Sequence, residues 1–225
     1  MSSLQFVSIV SIPVTVLLVA VALIAFARPD SDDGVYAAYL ALASLSSLYL
    51  LLLTLAASGE SVAQQLVLRD ARDAELGSPG SLDAYFSLFT SGGASAIAVF
   101  ASVAAVMAGS FGFHARRRAE LVATTAPGGT VDRVDRAYRA AVCFAMVSLA
   151  AVGGLLAGNA GYNFFSQPFA AANGDRVRDL AMGSLLAYGA LVLAAGLVFR
   201  ANVWAIRGND RTRDDDLAIA DVDEA

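Results

Sequence analysis

Long apolar runs alternate with short polar stretches along this chain. A helix needs roughly 20 mostly apolar residues to cross about 30 Å of hydrocarbon. Five segments meet that requirement and contain no Asp, Glu, Lys, Arg or His; they span residues 4–27, 35–57, 84–113, 140–160 and 180–199. The pattern therefore predicts an all-α polytopic membrane protein, built as a bundle of five transmembrane helices.

The polar stretches set the expected domain organisation. We expect one transmembrane domain over residues 1–206, with an external loop over 58–83 and a cytoplasmic loop over 114–139. Residues 207–225 are rich in aspartate and contain no long apolar run, so they are predicted to form an acidic, disordered cytoplasmic tail.

Local signals refine the two long loops. Residues 63–76 fit either a short helix or a solvated loop. After the third span, residues 115–123 contain no helix breaker, so that helix is expected to extend beyond the membrane until Pro127-Gly128-Gly129. Thr130 is then placed to cap the next helix, with Asp132 in its first turn.

Arginine placement predicts the orientation, because short cytoplasmic loops carry an excess of positive residues. All 15 basic residues are arginine, and an external N-terminus puts eleven of them on the cytoplasmic side and four outside. We therefore expect a multi-pass cell-membrane protein with its N-terminus outside and its C-terminus cytoplasmic. Ala25-Phe26-Ala27 also resembles the end of a cleavable signal peptide, but no basic residue precedes this apolar run, which is longer than a typical signal core.

Composition agrees with a membrane protein and narrows the possible partners. The chain is 57% hydrophobic and only 16% charged, against about 25% charged residues in soluble domains. Its net charge of −5 gives no sign of nucleic-acid binding. The absence of lysine and the excess of aspartate over glutamate are typical of a salt-loving organism, although a GC-rich bacterium would show a similar bias.

Several kinds of chemistry lack the residues that they need. Without lysine there is no retinal Schiff base, and with His114 alone there is no bis-histidine haem within the chain. Cys143 has no second cysteine for a disulfide, and the predicted spans hold no carboxylate for a proton relay. We therefore expect no enzyme activity, no cofactor and no metal.

The outer end of the fourth span carries the best candidate site. Asn159, Asn163 and Ser166 share one helical face, and amides near hydrocarbon need partners or water. The predicted start of the third span lies at the same membrane face, which suggests a small polar pocket; its candidate residues are Asn159, Tyr162, Asn163, Ser166, Gln167, Thr90 and Ser91. The alternative is hydrogen bonding between helices beneath an interfacial belt of aromatic residues.

A second set of polar residues follows one face of the second span. Tyr36, Tyr39, Ser47 and Thr54 would either line a hydrated path or serve as packing contacts between helices. At the cytoplasmic boundary we expect His114 to be an interfacial residue or a pH sensor, and Arg200 to reach the interface beside Trp204.

These features favour a non-enzymatic accessory or scaffold subunit, or a small sensor. Such a protein would act in the lipid bilayer through a membrane-protein partner or as a homo-oligomer. The alternative is a small-solute permease or channel subunit that uses the outward-facing polar pocket.

Overall fold

The computed structural model describes residues 16–68, 93–166 and 174–223, with side chains over 16–62, 98–166 and 177–207. The secondary structure of these residues is entirely helical, and it comprises α1 (Val16–Phe26), α2 (Asp32–Leu68), α3 (Gly93–Thr124), α4 (Thr130–Ser166) and α5 (Gly174–Asp223).

Four of these helices are long and apolar enough to cross a membrane. Their candidate spans are Asp32–Val62, Ala98–Thr124, Thr130–Ser166 and Val177–Arg207. The described part of α1 is apolar but shorter than a crossing requires. The all-helical, membrane-type class predicted from the sequence is thus confirmed, with four helices of spanning length.

The helix α2 lies in the middle of the bundle. It packs against α3, α4 and α5, while α4 and α5 form the other extensive contact. The consecutive helices α3 and α4 touch only slightly. The connections α1–α2 and α3–α4 lie at the same end of the bundle, because Thr130 Oγ1 donates a hydrogen bond to Asp30 Oδ1 at 2.7 Å. We call this the hairpin end and the opposite one the far end.

The core is apolar and closely packed where α1, α2, α4 and α5 meet. Among its largest fully buried side chains are Val134, Val142, Met146 and Leu149. Alanines at complete burial allow close approach of the helices. At Gly153 the α4 backbone lies close to α5, since an added Cβ would lie 3.0 Å from Val192 Cγ2.

Large apolar side chains cover the outside of the bundle as well. Leu155, Leu186, Leu193 and Leu197 are each more than 60% exposed. In water such a surface would favour association, but lipid tails are as apolar as leucine. The exterior is therefore the kind that a bilayer covers.

Two helices continue further than the sequence predicts. The second predicted span ends at residue 57, but α2 runs to Leu68; the tail is predicted to be disordered, but α5 runs to Asp223. No glycine or proline follows Gly208, so nothing in the described tail forces the helix to end. The predicted extension of α3 is confirmed, and it ends before Gly128, whose φ is +81°.

Candidate functional site

Arginines and carboxylates meet at the hairpin end. The last turns of α3 and the first turns of α4 contribute six arginines and three acidic residues, namely Arg116, Arg117, Arg118, Glu120, Asp132, Arg133, Asp135, Arg136 and Arg139. Both helices run past the ends of the predicted apolar spans here. The result is a charged helical hairpin, which we call the arginine hairpin.

A buried carboxylate ties the two helices of the arginine hairpin together. The Asp135 side chain is 4% exposed, and Arg139 Nε donates to its Oδ2 at 2.7 Å. From α3, Arg118 Nη1 lies 3.7 Å from Asp135 Oδ1. The Arg118 guanidinium also stacks over the Tyr138 ring, with Cζ 3.5 Å from the ring centroid. Charge and cation–π attraction therefore act together across α3 and α4.

This cluster holds more donors than acceptors. Arg118 Nε, Arg118 Nη1 and Arg136 Nε are buried and make no hydrogen bond with any described residue. Buried donors are costly when unpaired. The cluster thus carries a surplus of buried guanidinium donors over carboxylate acceptors.

The outer face of the arginine hairpin is paired more loosely. Arg116 and Arg117 share Glu120 at 2.9 and 3.2 Å, and Arg136 Nη2 lies 3.0 Å from Asp132 Oδ2. These arginine side chains are 41–83% exposed. Because Glu120 and Asp135 each serve two arginines, the hairpin keeps a surplus of positive charge.

The α1–α2 connection closes against the start of α4. Asp30 accepts the Thr130 hydroxyl and lies 3.7 Å from Arg133 Nη2. The Thr130 hydroxyl, Asp30's own backbone and Arg133 together hold the pKa of Asp30 below its ordinary value, and its slight desolvation opposes them. Gly34 lies so close to Thr130 that an added Cβ would be 2.5 Å from Thr130 Cγ2. This position therefore requires glycine.

A hydrogen-bonded seam joins α2 to α3. Ser47 Oγ lies 2.8 Å from Ser110 Oγ, and Tyr39 Oη lies 3.2 Å from His114 Nε2. His114 Nδ1 is 2.7 Å from the Ser110 carbonyl oxygen, which can only accept. Nδ1 therefore carries a proton and donates to that carbonyl oxygen, while Nε2 lies against the Tyr39 hydroxyl.

The predicted polar stripe on α2 is partly brought together by this seam. Tyr39 and Ser47 contact α3, and the Tyr36 ring stacks on Tyr39 at a centroid distance of 6.4 Å. Thr54 instead donates to the backbone carbonyls of Leu50 and Leu51 in its own helix. The geometry is that of packing contacts, and a hydrated path along the stripe stays a prediction.

The predicted pocket at the end of α4 falls on the outer surface of the bundle. Asn159, Tyr162 and Ser166 are exposed, and Asn163 is half-buried. Gly154 and Gly158 on the same half of α4 have open space beside them. Thr90, Ser91 and Gln167 lie outside the described residues, so the pocket stays a prediction.

Sequence reasoning missed a second polar contact at the far end. Glu60 of α2 accepts hydrogen bonds from two hydroxyls of α5. Ser184 Oγ donates to Glu60 Oε1 at 3.0 Å, and Tyr188 Oη donates to Glu60 Oε2. Glu60 lies three residues past the predicted second span but inside the candidate span Asp32–Val62. The expectation that the apolar core of this span, residues 35–57, holds no carboxylate stays a prediction, and Glu60 lies just beyond that core.

Sequence reasoning also missed the role of Asp135. The signal was present, because Val131, Val134, Tyr138 and Val142 follow a helical period and Asp135 falls on their face. That face is buried in the structure. An acidic residue on an apolar face predicts a buried, paired carboxylate.

Among the described residues, no group of three or more His, Cys, Asp or Glu side chains is placed to hold a metal ion. Comparison of the chain with protein-family models, with curated proteins and with solved structures finds no match. A functional argument for this chain therefore starts from the arginine hairpin, the α2–α3 seam and the Glu60 contact.

Proposed function

We propose that this chain is a five-span integral membrane protein that works as a non-enzymatic accessory, scaffold or sensor subunit. Residues 4–27 form its first span, the N-terminus is outside, and the arginine hairpin faces the cytoplasm. The subunit presents this hairpin to an acidic surface of a membrane-protein partner.

The observation that carries this proposal is the form of the arginine hairpin. The Asp135–Arg118–Tyr138 contacts hold α3 and α4 in one geometry, while Arg133 and Arg136 stay 45% and 41% exposed. A rigid surface of guanidinium groups binds carboxylates with little ordering cost. Arginine is also the basic residue most enriched in binding hot spots.

The packing of the bundle also supports a scaffold. Val142, Met146 and Leu149 of α4 lie in the core cluster and are completely buried. Polar groups line the transport route of most solute carriers. A core filled by leucine, valine and methionine is instead suited to holding helices in fixed positions.

The test is purification of the full chain from its native membranes in mild detergent, followed by native mass determination. We expect the natural chain to carry a stoichiometric protein partner. The Asn159→Leu variant should keep this partner, and the double variant Arg133→Gln, Arg136→Gln should lose it. Both hairpin arginines are exposed, so the fold should survive, which thermal unfolding checks. A protein that runs alone in every variant would overturn the scaffold proposal.

The orientation has a separate test by cysteine labelling in a Cys143→Ala background. Single cysteines at Ser78 and Ser166 should react with an impermeant reagent added outside intact cells, and one at Thr125 should not. The opposite pattern would reverse the proposed topology.

A small-solute permease or channel subunit is the second candidate, and the α2–α3 seam favours it. Its four hydrogen-bonded side chains form a polar line between two apolar helices. A permease should lose uptake when Asn159 and Asn163 are both replaced by leucine, while it still folds. Unchanged uptake and assembly would remove the outer pocket from consideration.

A further inference from the structure

Two exposed arginine–aromatic pairs stand on opposite flanks of α2. On α3, Arg117 Cζ lies 5.8 Å from the centre of the Phe113 ring; on α5, Arg200 Cζ lies 5.0 Å from that of Trp204. The Phe113 and Trp204 rings are 57% and 65% exposed. Exposed aromatic rings beside arginines are typical of the boundary between hydrocarbon and headgroups.

The two pairs lie at the same level of the bundle. Gly59 of α2 lies beside Ala187 of α5, and the two helices run in opposite directions. Arg200 is thirteen residues after Ala187, so it is level with the α2 residue thirteen positions before Gly59, which is residue 46. Ser110 contacts Ser47, so Phe113 is level with residue 44. A difference of two residues is about 3 Å along a helix axis. Both pairs therefore mark one plane.

A second group of exposed aromatic residues lies one membrane thickness away. Gly153 of α4 contacts Val192, which puts the middle of the Arg200–Trp204 pair level with residue 143 of α4. Tyr162, which is 71% exposed, lies 19 residues further on. At about 1.5 Å per residue this is about 28 Å, close to the hydrocarbon thickness of about 30 Å.

Arg200 differs from the arginines of the hairpin in its charge balance. Every arginine of the arginine hairpin lies within 4.0 Å of a carboxylate. Among the side chains that the structure describes, Arg200 has no such partner, and it is exposed at the boundary plane. A phosphate oxygen is the natural acceptor for a guanidinium group in this position.

We propose that Arg200 and Trp204 bind the phosphate of an anionic phospholipid in the leaflet at the hairpin end. The guanidinium, which reaches towards the Trp204 ring one turn nearer the hairpin end, pairs with the phosphate, and the indole lies beside it at the level of the headgroup. Arg117 and Phe113 make the corresponding contact on α3, where Glu120 takes up part of the Arg117 charge. This inference requires a membrane protein but not a protein partner.

Trp204 is the only tryptophan in the chain, so its fluorescence reports on this site alone. The full chain is reconstituted into phosphatidylcholine vesicles that contain a fixed fraction of either brominated phosphatidylglycerol or brominated phosphatidylcholine. We expect brominated phosphatidylglycerol to be enriched beside Trp204 by about fivefold, because one arginine near an anionic surface contributes that much. Equal quenching by the two lipids would overturn the proposal.

Variants assign the selectivity to Arg200. Arg200→Gln should reduce it to about onefold, Arg200→Lys should retain most of it, and Arg133→Gln, at the hairpin tip, should leave it unchanged. Selectivity that survives in Arg200→Gln would contradict the assignment. Loss of selectivity when inorganic phosphate is added at constant ionic strength would show a site for soluble anions, and it would overturn the lipid assignment.

Discussion

At the hairpin end, Glu120, Asp132 and Asp135 each lie within 4.0 Å of an arginine, whereas at the far end Glu60 accepts hydrogen bonds from the hydroxyls of Ser184 and Tyr188. The first arrangement couples two helices by charge and extends beyond the apolar spans. The second couples α2 to α5 through the hydroxyls of Ser184 and Tyr188.

This difference indicates that the two ends of the bundle have different roles. The far end is held by short polar contacts between helices that are already packed, as expected for a structural seam. The hairpin end keeps exposed and partly unsatisfied guanidinium groups in a fixed frame, which is the form of a binding surface. The following variants test whether the two ends differ in this way.

The largest effect is expected for Asp135→Asn. The change leaves Arg118 and Arg139, whose side chains are 15% and 24% exposed, without their shared carboxylate. Removal of one partner from a buried ion pair costs about 3 kcal/mol. The free energy of unfolding in a mixed-micelle titration measures the loss.

Glu120→Gln is the matched control for Asp135→Asn. Glu120 is also shared by two arginines, but its side chain is 46% exposed, so the same acid-to-amide change should cost much less. Equal losses for the two variants would show that burial does not separate the inner and outer ion pairs of the hairpin.

At the far end, Tyr188→Phe should cost about 1 kcal/mol, because it removes the hydrogen bond from the Tyr188 hydroxyl to Glu60. Tyr162→Phe makes the same change on a tyrosine that is 71% exposed, and it should have almost no effect. The contact itself is measured by a double-mutant cycle with Glu60→Gln. A coupling energy near zero would mean that the far end is not held through Glu60.

Between the two ends, Ser110→Ala tests the α2–α3 seam. It removes the Ser47 contact at 2.8 Å and should cost about 0.6 kcal/mol, the average for hydrogen bonds between membrane helices. Ser102→Ala is the control on the same helix, since that hydroxyl donates only to its own backbone at Ala98. A larger loss at Ser102 would rule out the seam as the bond that holds α3 to α2.

How far the sequence predicts this molecule depends on the range of the signal. Apolar runs identify α2 to α5, because each helix must match the hydrocarbon by itself, and the break at Pro127-Gly128-Gly129 is local. The Ser47–Ser110 and Glu60–Tyr188 contacts join residues 63 and 128 positions apart. Periodicity places each side chain on a face but does not say which helix covers that face.

The same limit applies to the candidate sites. Asn159 and Asn163 stand out in the sequence because amides are unusual in an apolar run, yet Asn159 is exposed on the outer side of α4. The helical extensions that carry Arg118 and Asp135 are predicted from the sequence, but the contact between these two side chains across the break is not. The ion pair matters because both side chains are largely buried, and that burial arises only when the helices pack together.

The smallest effect belongs to Asp30, which is fully exposed at the hairpin end. Its pKa is held below the ordinary value chiefly by the Thr130 hydroxyl, so the ionised carboxylate stabilises the folded state. Because the folded pKa is the lower one, this contribution is complete above the unfolded pKa of about 3.9 and is lost as the pH falls through the folded value. Asp30→Asn should therefore be slightly less stable than the natural chain at neutral pH, and the difference should vanish under acid. The free energies of unfolding of the natural chain and of Asp30→Asn, measured from neutral to acid pH, give this difference. A difference that stays constant with pH would assign the stabilisation to the Thr130 hydrogen bond alone and not to the charge on Asp30.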